Sequence, residues 1–293
     1  MIDIEKQKRY GIFYSLMLIV GYLTASFVAM LLSKTKVSIL ANAVQPIIFF
    51  ACCLFFIKKE REDIKKVLPI KKVSFVYILS AIFLFVGLFF GLGQLNIKFS
   101  EILVKAGVKV NTVDIGVNNF FEYLLNLFVL SISPAFGEEI LFRGVVLFCL
   151  STFSLGKGEE KGKIIISLIN GLLFSIFHKN LAQLIYQFVY GFILAYLTLK
   201  TQNILIAVIM HFLNNFIILT QSAYFLSVNL YNTATLIIGL VLFAVGLVLL
   251  FAIKDKNEVK AKKEEKTSVF PFIFYSLIGV VFSIVMMVVA NFL

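Results

Sequence analysis

Residues 232–253, NTATLIIGLVLFAVGLVLLFAI, carry no charged side chain over a length that spans a bilayer. A helix needs about 20 apolar residues to cross the hydrocarbon core. Backbone polar groups find no water there, so a run of this kind must satisfy them within itself, as a helix. Comparable runs lie near 10–32, 37–57, 74–95, 120–154, 164–180, 182–200, 203–225 and 269–293. The expected fold is therefore all-α, a polytopic transmembrane helix bundle of eight or nine spans. The fourth run is too long for one straight span: either Pro134 and Gly137 kink it, or part of it leaves the bilayer.

Composition points the same way. The chain is 60% hydrophobic and 15% charged, with a mean hydropathy of +0.99, whereas soluble domains carry about 25% charged residues. So little polar surface cannot cover a chain in water. No internal repeat and no separate soluble module is visible, so residues 1–293 read as a single membrane domain without a cleavable signal. Cys52, Cys53 and Cys149 lie in apolar runs without disulfide or zinc spacing. The net charge of +11 resides in lysines gathered in short loops, which is membrane topology; no soluble basic domain is present to bind nucleic acid.

Those lysines also set an orientation. With nine spans and a cytoplasmic amino terminus, 20 Lys and Arg fall inside and 6 outside, Arg143 lying within a span. The inside segments are the amino terminus, 58–72, 157–163, 200 and 254–266. By the positive-inside rule the carboxyl terminus is then exterior. Gly87 and Gly91 form a small-xxx-small pair for close helix approach. Pro46, with Asn42 and Gln45, marks a distortion in the second span. The lysine-rich, tryptophan-free composition suits a bacterial plasma membrane.

Function is sought among the ionisable residues inside apolar sequence, because each is costly there unless paired or hydrated. Of 16 acidic residues, only Glu138 and Glu139 lie deep in such sequence. Arg143 and the two histidines, His178 and His211, join them. Glu139 and Arg143 stand at i and i+4 with glutamate first, the favourable order for a pair. Glu138 is rotated about 100° from Glu139, so it lacks that cation and suits a general base. His211 and Asn215 share one face and can address one ligand. Phe174 and His178 share another, ring beside imidazole. Polar residues in bundles often serve only as interhelical hydrogen bonds, the reading given to Gln183 and Gln187, but that role does not account for the full set.

Glu-Glu-x-x-x-Arg at 138–143, Phe-x-x-x-His at 174–178 and His-x-x-x-Asn at 211–215, in this order on separate helices, resemble the three motifs of the CPBP family. That family comprises type II CAAX prenyl endopeptidases and bacteriocin-processing or immunity proteins. The resemblance covers about 120–220, which would be a catalytic core. It implies an intramembrane endopeptidase in which Glu138 and His178 activate a water. His211 and Asn215 would stabilise the oxyanion, with Glu139 and Arg143 holding the first motif. The substrate would be a membrane-associated peptide or protein. Glu138, His178 and His211 could instead form a His₂Glu zinc site, although no His-Glu-x-x-His helix is present; a metal-independent hydrolase is preferred. Two other classes stay open. One is a non-proteolytic scaffold regulating a partner membrane protein. The other is a proton-coupled transporter, disfavoured because no related halves are visible.

Overall fold

In the computed structural model, which describes residues 4–35, 37–110, 117, 119–151, 159–224, 231–252 and 269–292, the apolar runs become nine long helices. They are α1 (Ile4–Leu32), α2 (Ser38–Lys59), α3 (Phe75–Lys105), α4 (Phe120–Ser151), α5 (Glu159–Phe177), α6 (Leu181–Thr201), α7 (Ile204–Tyr224), α8 (Thr233–Ala252) and α9 (Phe270–Phe292). Eight are long and apolar enough to cross a membrane, and the chain is an integral membrane protein with an all-α architecture. Helices outrun their hydropathy at several ends. Lipid contact ends at the headgroups, whereas backbone hydrogen bonding continues beyond them; α1 therefore begins at Ile4 instead of 10, and α3 reaches Lys105 instead of 95.

Helix α5 fails the apolar measure because it opens on Glu159, Glu160, Lys161 and Lys163, yet it joins the same two ends as its neighbours. At one end, Arg9 grips Glu60 with Nε and Nη2 at 2.9–3.1 Å, and Lys6 pairs with Glu62. Ile70 and Asn203 form an antiparallel bridge there, and Lys200 reaches Glu160 at 3.2 Å. At the other end, Asn291 bonds to the turn after α5 and to Lys109. The amino terminus, 58–72, 160 and 200 thus share one end, as the charge count groups them. The loop 254–266 lies outside the described residues. Among the described residues nine long helices run between the two ends, eight of them apolar enough to cross a membrane.

The sidedness of these ends gives a direct prediction. With the native cysteines replaced, Lys65→Cys should react with an impermeant thiol reagent only after permeabilisation, and Lys98→Cys in intact cells. Both positions are exposed at opposite ends. The reverse pattern would invert the orientation, and labelling of both from outside would break the nine-crossing arrangement.

Helix α4 runs through Pro134 and Gly137 without interruption. It is continuous across 32 residues, about 48 Å at 1.5 Å per residue, so it must tilt or project beyond about 30 Å of hydrocarbon. Two π-helical turns, Phe128–Ile132 and Ile140–Val146, flank the α-helical stretch Ser133–Glu139. Pro134 supplies no N–H to the Leu130 carbonyl and its ring crowds that group; the wider turn just before it absorbs the conflict without a break.

Close packing then fixes where α4 sits. A Cβ on Gly137 would lie 2.1 Å from the Pro46 carbonyl oxygen, so only glycine lets the two backbones meet here. Helix α2, continuous through Pro46, therefore backs the segment bearing Glu138. Gly87 and Gly91 meet α8 similarly: their Cβ atoms would lie 2.5 Å from Phe243 Cβ and 3.0 Å from Leu240 N. Ser80 Oγ adds a hydrogen bond to the Gly246 carbonyl at 2.8 Å.

Candidate active site

The second π turn begins immediately after Glu139 and contains Arg143. Its widened register leaves the Phe142 carbonyl accepting from the Leu147 amide five residues on, and Asn170 of α5 adds a second donor to it at 2.8 Å. Such turns recur at functional sites because they re-aim side chains within a helix. Here Arg143 Nη1 still donates to Glu139 Oε1 at 3.1 Å, while Nη2 donates to the Gly191 carbonyl of α6 at 3.3 Å. The guanidinium also lies 4.2 Å from the Phe174 ring centre, a favourable cation–π placement in a dry site.

Glu139 does more than the sequence suggested. Its Oε1 also meets His211 Nδ1 at 2.8 Å, so one carboxylate ties α4 to α7 as well as to its own arginine. Both Glu139 and Arg143 side chains are wholly buried, which restores a pairing that the interior requires. A carboxylate can only accept, so His211 Nδ1 carries its proton and Nε2 faces elsewhere.

Glu138 points to a different neighbour, as the 100° rotation implied. Its Oε2 lies 3.8 Å from His178 Nε2, too far for a direct hydrogen bond, and is without a hydrogen-bond partner among the described residues. His178 Nδ1 meets the Phe174 carbonyl at 2.8 Å. A carbonyl also only accepts, so Nδ1 is the protonated nitrogen and Nε2 presents a lone pair. These two side chains are 11% and 19% exposed, against 0% for Glu139 and Arg143. The partly open pair thus stands on a closed one.

Phe174 occupies the centre, where the sequence placed it only beside His178. Its ring is 4.5 Å from the imidazole of His178 and 6.0 Å from that of His211. On α7 the polar row has one more member than foreseen. Tyr186 Oη donates to Asn214 Oδ1 at 3.0 Å, and Asn214 Nδ2 donates to Asn215 Oδ1 at 3.2 Å. That relay fixes the Asn215 amide with its oxygen engaged and its Nδ2 left to donate. Tyr190 stacks on Tyr186 at 5.9 Å and meets His211 edge-on at 6.2 Å. Asn170, Asn214, Tyr186 and Tyr190 were not singled out from sequence; only the adjacency of Asn214 to Asn215 was there to be noticed. Gln187 Nε2 donates to Gln183 Oε1 at 3.5 Å, a bond within α6 and not between helices.

Counting residues from span starts fails to level Glu138, His178 and His211, yet α4, α5 and α7 bring all three into one cluster. They do not make a metal centre in this conformation: among the described residues no three His, Cys, Asp or Glu side chains are grouped to hold an ion. Each imidazole donates Nδ1–H to a protein acceptor and keeps Nε2 for a ligand, and Glu138 lies 3.8 Å from that nitrogen of His178.

The comparisons with known proteins fall on this same cluster. Residues 120–217 match the family model described as type II CAAX prenyl endopeptidase Rce1-like. No curated protein and no solved structure matches the chain. The matched segment, which carries every residue of the site, is thus similar to the Rce1-like type II CAAX prenyl endopeptidases, and the match supports the resemblance of the three motifs to the CPBP family.

Proposed function

We propose that this protein is an intramembrane endopeptidase that hydrolyses a peptide bond in a membrane-associated peptide or protein. The family is one of CAAX-type proteases, and the chain stands with it at that level. The observation that carries the finer reading is the pairing of Glu138 Oε2 with His178 Nε2 at 3.8 Å. Both atoms accept and neither donates. A water seated beside them can give one hydrogen to each, which turns an oxygen lone pair outward. Glu138 then takes the proton as that oxygen bonds to the scissile carbonyl carbon. The carbonyl π pair moves to oxygen, giving an oxyanion. On collapse the C–N bond breaks, and Glu138 returns the proton to the leaving amine.

The oxyanion needs donors. Asn215 Nδ2 is one, its amide oriented through Asn214. His211 Nε2 is the other when the ring carries both protons, and Glu139 at 2.8 Å is the counter-charge for that form. Removing one such donor typically costs about 10²–10³ in rate. Glu139 and Arg143 therefore do more than brace the motif: through His211 they act on the side of the carbonyl opposite the base.

The test compares peptides released from membranes of cells making the wild type and Glu138→Ala. Fragments present only with the wild type, ending at a common position, support the reading; identical sets from both would end it. The charge bias puts the amino terminus in the cytoplasm, and the composition suits a bacterial plasma membrane, where a peptide or the end of a membrane protein is a more natural substrate than a prenylated tail.

A metal-independent reaction is the preferred reading and gives a further prediction. Purified protein should keep activity within about twofold after chelation and dialysis, since a catalytic zinc would otherwise supply the activated water. Loss on chelation that about one equivalent of zinc restores would assign Glu138, His178 and His211 to the metal instead.

A further inference from the structure

The turn that ends α5 is held from the far end of the chain. His178 closes the helix, and Lys179 follows at φ 52°, a left-handed conformation that a long side chain rarely adopts. Asn180 then opens α6 by accepting the Ala182 amide at 3.0 Å. Into this turn reaches Asn291, on the last turn of α9 and only 2% exposed. Its Nδ2 donates to the Lys179 carbonyl at 3.1 Å, and its Oδ1 accepts the Leu181 amide at 3.3 Å. The amide is itself fixed, because Nδ2 also donates to the Met287 carbonyl at 2.7 Å. The Asn291 carbonyl in turn accepts the Lys109 amide at 2.9 Å.

An asparagine joining any two helices would be ordinary interhelical bonding. This one instead satisfies two backbone groups directly after His178, a carbonyl and an amide that no regular helix serves. Such groups are costly to leave unpaired in an apolar surround. Among the described residues, and apart from Glu138, the imidazole's contacts come from its own helix: the Phe174 carbonyl at 2.8 Å and the rings of Phe174 and Phe177. Its distance from Glu138 therefore depends on where the turn sits.

We propose that Asn291 is a positioning residue: it pins the Lys179 turn and so sets His178 against Glu138 for water activation. The role rests on the proteolytic reading of His178. It also means that the family-matched segment 120–217 does not complete the site alone, because α9 supplies the clamp.

The test uses the full chain in lipid nanodiscs, with a peptide substrate taken from the release experiment. In Asn291→Ala, amide exchange across 178–184 should accelerate while the rest of the bundle keeps its protection. Turnover should fall about 10²-fold with KM nearly constant, the scale of a roughly 1 Å misplacement. Adding Lys179→Gly should recover part of that loss, because glycine takes φ 52° without strain and the turn then needs less holding. Unchanged exchange at 178–184, or wild-type turnover in Asn291→Ala, would overturn the proposal. So would a loss that glycine leaves untouched while the whole bundle exchanges faster, which marks Asn291 as merely structural. Full activity in Glu138→Gln would sink the proteolytic reading, and Asn291's positioning role with it, whereas failed protection alone removes only the clamp.

Discussion

Glu138→Gln should lower turnover by about 10²–10⁴-fold, the usual contribution of a positioned general base, while the folded yield stays at or above that of the wild type. The two halves of this expectation come from the same observation. Glu138 Oε2 is buried with no hydrogen-bond partner among the described residues, so glutamine takes no internal hydrogen bond from that atom. It replaces a charge that is costly in an apolar bundle with a neutral amide of the same shape. Sites of this kind are held at the expense of stability, and thermal unfolding in detergent should show the variant melting no lower than the wild type. Chemistry runs the other way. An amide cannot take a proton from water, so the bridge between Glu138 and His178 loses its base even with the 3.8 Å spacing preserved. A variant that folds well and still cleaves at the wild-type rate would remove Glu138 from the mechanism.

What could be read beforehand divides along physical lines. The bilayer penalises every buried charge, so Glu138, Glu139, Arg143, His178 and His211 stand out in apolar sequence, and helical periodicity correctly separated the two glutamates. Three things were hidden. The bond from His211 to Glu139 joins residues 72 apart in sequence, and nothing in either helix encodes the other's rotation. The π turns of α4 break the assumption of 1.5 Å and 100° per residue, so rotation and depth do not follow residue count. Finally, Asn170, Tyr186, Asn214 and Asn291 are uncharged polar residues, cheap enough in a bundle to look like plain interhelical bonding. Only their partners distinguish them.

Glu139→Gln should fail differently, losing folded protein and activity together. Arg143 is wholly buried, and its ion pair is with Glu139 at 3.1 Å; its other contacts, the Gly191 carbonyl and the Phe174 ring, bear no formal charge. Breaking a buried pair from one side leaves the other charge uncompensated and costs about 3–5 kcal/mol. That is a large share of a stability of about 5–15 kcal/mol. Yield and melting temperature should therefore drop where Glu138→Gln spares them. Removing both charges separates the two jobs of Glu139. Glu139→Gln with Arg143→Met takes away the stranded cation, and such neutral replacements of buried pairs are often tolerated, so folded yield should recover. Activity should not. His211 Nδ1 would still face an uncharged amide in place of the carboxylate 2.8 Å away, leaving the imidazole without the counter-charge that lets Nε2 donate to an oxyanion. Turnover per folded molecule should stay down by about 10²–10³-fold, the loss of one oxyanion donor. A double variant that regains both yield and turnover would show that Glu139 only balances Arg143, and that the bond to His211 carries no part of the chemistry.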